Sequence, residues 1–184
     1  MTCIDMRVFS GRRFAVTVED VMLPNGHKMH MEKVHCPEVC HVVPIIGDKV
    51  ILLRQFRPII KKWLYEIPAG LIDKGETPAE AAKRELEEET GFKAGKLIHL
   101  TTVFTSPGFT DELAHVFAAT DLRAGVQNLE PSENIRFFKS PLKRALKLVE
   151  TGRMKNSVGA LALLLADEKL GLSKRGSSGT FRRR

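Results

Sequence analysis

Cysteine is scarce in this chain, with three residues among 184. Three thiols cannot make an even disulfide framework, so we expect them to be reduced. Cys36 and Cys40 have a zinc-ligand spacing, but no second pair of ligands stands at a distance to complete a tetrahedral site. The cysteines therefore argue against both a disulfide scaffold and structural zinc.

Long apolar runs are also missing. No stretch approaches the roughly 18 residues that span a bilayer. The segment from Met1 to Arg7 lacks a basic region followed by an apolar one. We therefore expect no membrane span, no secretory signal and a cytoplasmic location. With 43% hydrophobic and 28% charged residues, the composition is that of one soluble globular domain.

Positive charge is present, with a formal net charge of +7, but it is unevenly placed. Five of the cationic side chains lie in residues 174–184, a polar segment rich in glycine and serine that reads as a disordered basic tail. Such tails make non-specific contacts more often than they read a sequence. We therefore expect no specific nucleic acid partner.

Short apolar segments bounded by turn residues dominate the chain. Through residue 40 they predict a small antiparallel sheet with turns at 10–11 and 24–26. Further strands are predicted at 42–46, 50–56, 63–67, 97–104, 113–119 and 135–138, and closing helices at 142–150 and 158–169. Strands mixed with a few helices through short connections indicate an α+β or α/β sandwich.

One helix has unusually clear boundaries. Thr77 can cap it, Pro78 suits its first position, and Glu80 completes a capping box. The helix is predicted to continue to Thr90, where Gly91 stops it.

Three carboxylates share one side of this helix. Glu85, Glu88 and Glu89 stand at i, i+3 and i+4, which places them on one stripe. They could form a solvated acidic face, with Arg84 paired to Glu88. Yet Glu85 and Glu89 repel each other, whereas a hard cation such as Mg²⁺ would seek both. Spacing alone leaves both interpretations open, and it suggests that the carboxylates are exposed.

The pattern around the helix is more specific. Nine positions match a longer motif with its gaps: Gly70, Glu76, Arg84, Glu85, Leu86, Glu88, Glu89, Gly91 and Phe92. At ordinary residue frequencies a random match is on the order of one in ten million. The segment resembles the Nudix box, a loop–helix–loop within an α/β/α sandwich with a mixed sheet. The resemblance implies an α/β Nudix domain over residues 41–172, after a small antiparallel N-terminal sheet at 1–40 and before the tail at 173–184.

The resemblance also implies a metal site. In the family, residues matching Glu85 and Glu89 bind the metal, and the one matching Glu88 binds or supports it. The carbonyl of Ala69 can join them, and Arg84 orients the glutamates through salt bridges. The implied cofactor is Mg²⁺, with Mn²⁺ as an alternative.

Segments flanking the box resemble the ADP-ribose and ADP-sugar pyrophosphatases of this family. They are residues 53–58, 63–70 and 105–112, the last including Pro107 and Gly108. By position, Arg57 would contact the diphosphate, Glu66 would bind or stand near the adenine edge, and Glu112 would approach the terminal ribose.

The N-terminal segment carries a further implied contact. Glu32 stands where such enzymes often carry a glutamate that reaches into the partner subunit's site. They are usually homodimers with exchanged N-terminal sheets, which would account for the strand-rich first forty residues.

The loop at 128–135 is where related enzymes place a catalytic carboxylate. Glu133 matches a family carboxylate that can bind metal, whereas the usual base position holds Pro131. Glu130 could replace that base, or the helix residues Glu88 and Glu89 could act instead.

The predicted function is Mg²⁺-dependent hydrolysis of ADP-ribose to AMP and ribose 5-phosphate by a homodimer. Alternatives are a Nudix pyrophosphatase for another nucleoside-diphosphate sugar, a dinucleoside polyphosphate or an oxidised nucleotide. A nucleotide-binding module without hydrolysis is a third, although such modules commonly lose the box carboxylates that this chain keeps.

Overall fold

A computed structural model describes residues 6–172, so the predicted tail at 173–184 lies outside the described residues. A small antiparallel sheet stands first. Its strands are β1 (Met6–Ser10), β2 (Ala15–Met22) and β3 (Lys28–His35), in the order β1-β2-β3. Gly26 turns β2 into β3 with a φ of 81°, which favours glycine. The predicted N-terminal sheet is confirmed, and all five residues of β1 are exposed.

A larger mixed sheet follows. Its path is β12-β5-β4-β10-β9, with β6 pairing to β5 and β7 pairing to β4. The strands are β4 (Val39–Ile46), β5 (Lys49–Arg57), β6 (Lys62–Glu66), β7 (Ala69–Leu71), β9 (Lys96–Phe104), β10 (Leu113–Thr120) and β12 (Ile135–Pro141). β4 and β10 run parallel, while the other pairs are antiparallel. Two short strands, β8 (Phe92–Lys93) and β11 (Arg123–Ala124), form a separate ribbon.

Helices cover both faces of the large sheet. α1 (Pro78–Thr90) packs its Ala82 and Leu86 with Val42 of β4 on one face. α2 (Leu142–Glu150) and α3 (Ser157–Leu170) pack on the other face, where Val43 joins their core. Successive residues of β4 thus point to opposite layers, because side chains alternate along a strand. The predicted α/β/α sandwich is confirmed.

The three-residue strand β7 positions the loop before α1. It pairs with β4 so that Gly70 lies opposite Cys40, and the Ile72 N–H donates to the Glu38 carbonyl at 3.0 Å. The loop from residue 70 to 77 is therefore attached to the centre of the sheet. Within residues 6–172, no helix is long and apolar enough to cross a membrane.

Candidate active site

Helix α1 begins and ends where its sequence indicates. The Glu80 N–H donates to the Thr77 hydroxyl at 3.3 Å, and the Thr77 N–H donates to the Glu80 carboxylate at 2.9 Å, which completes the capping box. Gly91 ends the helix with a φ of 71°. Because Leu86 is buried against the sheet, the rotation of the helix about its axis is fixed.

Arg84 joins the loop to the helix. Its guanidinium donates to both carboxylate oxygens of Glu76, at 3.0 and 2.9 Å, and to the Leu71 carbonyl at 2.9 Å. It also donates to Glu85 at 2.6 Å and to Glu88 at 3.1 Å. These hydrogen bonds lower the pKa of Glu76 and raise that of Arg84. They are the salt bridges that the family resemblance implies.

The expectation of an exposed carboxylate stripe is wrong for two of its three members. Glu85 is 8% exposed and Glu89 is 1% exposed, because the loop and β7 cover this side of α1. One oxygen of Glu89 accepts the Ala69 N–H at 2.9 Å. Burial raises the pKa of Glu85, and it raises that of Glu89 well above the ordinary value, with the charges of Glu85 and Glu133 adding to the effect on Glu89.

The loop after β11 docks on the end of α1. The Asn128 N–H donates to the Glu88 carbonyl at 2.9 Å. The Glu130 N–H donates to the Glu133 carboxylate at 2.8 Å, and the Glu133 N–H donates to the Glu130 carbonyl at 2.9 Å. This tight turn brings both carboxylates toward the helix.

A polar cleft of about 420 Å³ lies between this loop and α1. It brings together four of the predicted acidic residues, Glu85, Glu88, Glu130 and Glu133. Its remaining lining residues are Asp73, Arg84, Asn128, Leu129 and Pro131.

The donor chemistry of this cleft suits a hard divalent cation. Among residues 6–172, no three acidic, cysteine or histidine side chains already converge closely enough to hold an ion. Yet Glu85 and Glu89 each have a raised pKa, partly through the charge of Glu133, so a cation between them would relieve a real repulsion. Gly70 leaves space for the Glu85 carboxylate, which an added Cβ would meet at 2.0 Å. These carboxylate oxygens therefore fit a hard divalent cation, with Arg84 orienting Glu85 and Glu88.

Arg57 and Glu66 form a second group. The Arg57 guanidinium donates to both Glu66 oxygens, at 2.9 and 2.5 Å. Glu66 is 1% exposed, whereas the Arg57 side chain is 41% exposed. Glu66 therefore holds Arg57 in place, and its burial favours a position near the adenine over direct contact, the two roles that the resemblance implies.

A third group lies against the N-terminal sheet. A cavity of about 160 Å³ brings Glu32 of β3 together with Pro107 and Gly108. Glu112, at the end of the same loop, accepts the Thr105 hydroxyl at 2.7 Å and does not line this cavity. The predicted substrate residues thus fall into the Arg57–Glu66 pair and the cavity of Glu32, Pro107 and Gly108, with Glu112 outside both.

Sequence reasoning missed several residues of these sites. Asp73 lines the polar cleft beside α1, and the Gln127 side chain donates to the Glu89 carbonyl at 2.7 Å. Asp111 binds three groups of β3 and the segment after it. Asp73 lies within the box and Asp111 beside Glu112, so an acidic residue next to a motif position was the available signal.

Cys40, one of the two cysteines with zinc-ligand spacing, lies in the core together with its neighbour His41. Cys40 is fully buried beneath α1, and burial raises the pKa of its thiol to about 12. His41 is 8% exposed, and its Nδ1 has no hydrogen-bond partner. Both belong to the core of the sheet.

These features define a class of protein: a loop–helix–loop with clustered carboxylates on an α/β/α sandwich. Residues 37–153 match the model of the NUDIX domain, and the chain belongs to the Nudix hydrolase family. It is 41% identical to an ADP-ribose pyrophosphatase of Bacillus subtilis over 160 residues, which cover 85% of this chain and 86% of that protein. It is 36% identical, at the same coverage, to a methanol dehydrogenase activator of Bacillus methanolicus. A crystal structure of an ADP compounds hydrolase superposes with a TM-score of 0.83 at 29% identity, covering 95% of this chain and 96% of the other.

Proposed function

We propose that this chain hydrolyses the diphosphate of ADP-ribose to AMP and ribose 5-phosphate with Mg²⁺ bound. The observation that carries the proposal is the cleft in which Glu85, Glu88 and Glu133 face one another across α1 and its neighbouring loop. The similarity to the ADP-ribose pyrophosphatase of Bacillus subtilis supports the choice of substrate.

The proposed metal ligands are those named from the box and the loop: the Ala69 carbonyl and the carboxylates of Glu85, Glu88, Glu89 and Glu133. Bound Mg²⁺ would neutralise the diphosphate and lower the pKa of a coordinated water. Mn²⁺ offers similar oxygen coordination and is the alternative.

Arg57 is the proposed diphosphate anchor. A guanidinium has five N–H donors in a planar fork, so it can bind a phosphate while part of it stays on a carboxylate. Glu66 uses the Nε and one Nη of Arg57, and the partly exposed remainder of the group can turn to a ligand. Glu66 thereby orients the anchor without touching the substrate.

Proton removal from the attacking water is assigned to the loop carboxylates. Glu130 and Glu133 both line the cleft, and Glu130 is exposed to solvent, to which it can pass a proton. Glu88 and Glu89 would then act through the metal. Glu130→Gln and Glu133→Gln distinguish the role of general base from that of metal ligand. Loss of the base should flatten the rise of kcat with increasing pH. Loss of a ligand should raise the Mg²⁺ concentration needed for half-maximal rate.

Homodimer formation through the N-terminal sheet completes the proposal. Four apolar side chains at its surface, Met6, Val8, Phe9 and Phe14, are 45–56% exposed, which is unfavourable in water. A partner covering them would bring its own Glu32 toward the neighbouring site. Light scattering should give about twice the monomer mass, and Val8→Glu should reduce it.

A cytoplasmic location is part of the same proposal, because Cys36 and Cys40 are free thiols.

A substrate panel tests the activity. Purified protein is incubated with Mg²⁺ and either ADP-ribose, another ADP-sugar, a dinucleoside polyphosphate or an oxidised nucleotide, and the products are separated by chromatography. We expect AMP and ribose 5-phosphate, with the highest kcat/KM for ADP-ribose. Cleavage of another member with no AMP from ADP-ribose would refute the substrate. Tight binding of ADP-ribose by calorimetry without turnover would instead indicate a binding module.

A further inference from the structure

The loop between β9 and β10 is attached to the N-terminal sheet. The Val34 N–H of β3 donates to the Phe109 carbonyl at 2.8 Å, and the Asp111 N–H donates to the Val34 carbonyl at 3.3 Å. Val34 and Thr110 form an isolated parallel bridge. These backbone contacts join two parts of the chain that are far apart in sequence.

The Asp111 side chain reinforces this junction. Its Oδ1 accepts the Cys36 N–H at 3.0 Å, and its Oδ2 lies 2.8 Å from His35 Nδ1 and 3.4 Å from Lys33 Nζ. Burial acts to raise the pKa of Asp111, but the hydrogen bonds from Cys36, His35 and Lys33 keep it below its ordinary value. Asp111 is therefore ionised at neutral pH.

His35 carries the connection one strand further. Its Nε2 lies 2.9 Å from the Thr17 hydroxyl of β2, and Thr17 is 5% exposed. With His35 neutral, its Nδ1–H donates to Asp111 and the Thr17 O–H donates to Nε2. The loop is thus bound through one imidazole to two strands of the N-terminal sheet.

The residues on either side of this junction form the two walls of one cavity. Glu32 of β3 lies on one wall, and Pro107, Gly108 and Phe109 of the loop form the other. Neither wall belongs to α1, which carries the proposed metal ligands. The distance between the walls depends on how closely the loop is held to β3, and Asp111 makes the side-chain contacts that hold it.

We propose that Asp111 is a positioning residue for the substrate, holding the loop of Pro107 and Gly108 against β3 so that Glu32 and the loop bind one ligand. It acts through the loop and touches no reacting atom. The proposal rests on the proposed function, because it takes the Glu32 cavity as part of an ADP-ribose site that β3 and the loop complete for the partner subunit in the proposed homodimer. It predicts an effect on substrate binding, whereas the chemical step at α1 is unchanged.

Asp20 provides a matched control. It also binds a lysine and a histidine, Lys28 at 2.8 Å and His30 at 2.9 Å, and it lies in the same small sheet. Both of these partners are in β3, so these two ion pairs stay within the N-terminal sheet. Asp20→Asn therefore perturbs a similar charge cluster without releasing the loop.

Steady-state kinetics on the full chain test the proposal. For Asp111→Ala we expect KM for ADP-ribose to rise about tenfold with kcat within about twofold of wild type, since binding and not chemistry loses an aligned contact. Asp111→Asn keeps an oxygen for the Cys36 N–H and should have an intermediate KM. Asp20→Asn should keep the wild-type KM.

Hydrogen–deuterium exchange supplies a readout that needs no substrate. In Asp111→Ala, the amides of residues 106–112 should exchange faster while those of α1 keep their wild-type rates. Unchanged exchange in that segment would overturn the proposal, as would an unchanged KM, a fall in kcat alone, or an equal rise in KM for Asp20→Asn. Failure of the proposed function would be visible separately, because wild-type protein would then release no AMP from ADP-ribose.

Discussion

Replacing Gly70 by alanine places one methyl group against the centre of the proposed metal site. An added Cβ would lie 2.0 Å from Glu85 Oε1 and 2.1 Å from its Cδ. The backbone of Gly70 is outside the left-handed region that strains other residues, because its φ is not among the positive ones. The effect of Gly70→Ala therefore comes from this one contact.

The size of the effect follows from the distances. An ordinary van der Waals contact begins at about 3.4 Å, so the carboxylate must withdraw by roughly 1.4 Å. Its 2.6 Å hydrogen bond from Arg84 is then lost. Because a misplacement of about 1 Å can reduce a catalytic rate by about 100-fold, we expect kcat to fall by at least that factor. The end of a glutamate side chain can move, so the free energy of unfolding should change by about 1 kcal/mol or less.

The assay is AMP release from ADP-ribose with saturating Mg²⁺, beside urea unfolding of the same preparation. Gly75→Ala is the matched control in the same loop. Gly75 has a φ of 88° and open space around an added Cβ, so alanine there costs about 1–2 kcal/mol of strain without reaching Glu85. A kcat within threefold of wild type for Gly70→Ala would refute the reasoning. An equal loss in Gly75→Ala would assign the effect to loop stability.

Three further predictions concern buried ionisable groups. Glu89→Gln keeps an oxygen for the Ala69 N–H and removes a carboxylate whose pKa burial raises. Wild-type protein should therefore lose stability as pH rises above about 4.3, whereas the variant should keep that stability while its turnover falls by orders of magnitude. Urea midpoints at pH 5 and pH 8 without metal measure the difference in stability. Arg57→Ala leaves Glu66 buried and unpaired, and should lower the free energy of unfolding by about 2 kcal/mol. This loss is smaller than for a fully buried pair because the Arg57 side chain is 41% exposed. Adding Glu66→Gln should recover most of the lost stability. Burial, with a smaller contribution from the Arg57 charge, lowers the pKa of His41 to about 4. The protein should therefore lose on the order of 3 kcal/mol of stability as pH falls from about 6.5 to about 4. His41→Leu should remove this pH dependence of the free energy of unfolding in acid unfolding curves.

The parts of the fold that the sequence predicts have local causes. The boundaries of α1 follow from Thr77, Glu80 and Gly91, whose backbone and side-chain preferences act within one turn of the helix. The sequence predicts the longer strands to within a few residues, because alternation and turn residues mark them. The strands β7, β8 and β11 have two or three residues each, which is too short for a periodic pattern to mark.

The sequence names acidic residues that the structure brings together in one cleft, but it does not predict what surrounds them. Helical spacing places Glu85 and Glu89 on one side of α1, but it does not predict the strand β7, which buries them. The ion pair of Arg57 with Glu66 also escapes a local pattern, because the register of β5 and β6 places Arg57 opposite Lys62 and Glu66 opposite Leu53. Asp111 contacts His35 of β3, which lies 76 residues away in the sequence, so no local pattern predicts this contact.

The charge of the site gives one reason why metal and substrate belong together. Arg84 by itself forms ion pairs with four carboxylates, those of Asp73, Glu76, Glu85 and Glu88, and the cleft beyond it adds Glu130 and Glu133. A cleft with this excess of negative charge repels an anionic diphosphate, although the whole chain is positively charged. The anion can enter with favourable electrostatics once divalent cations reverse the sign of the local field. We therefore infer that ADP-ribose, the proposed substrate, binds this cleft tightly only with Mg²⁺. Arg57, on which the charges of Glu89 and Glu133 also act, supplies a weaker contact without the metal.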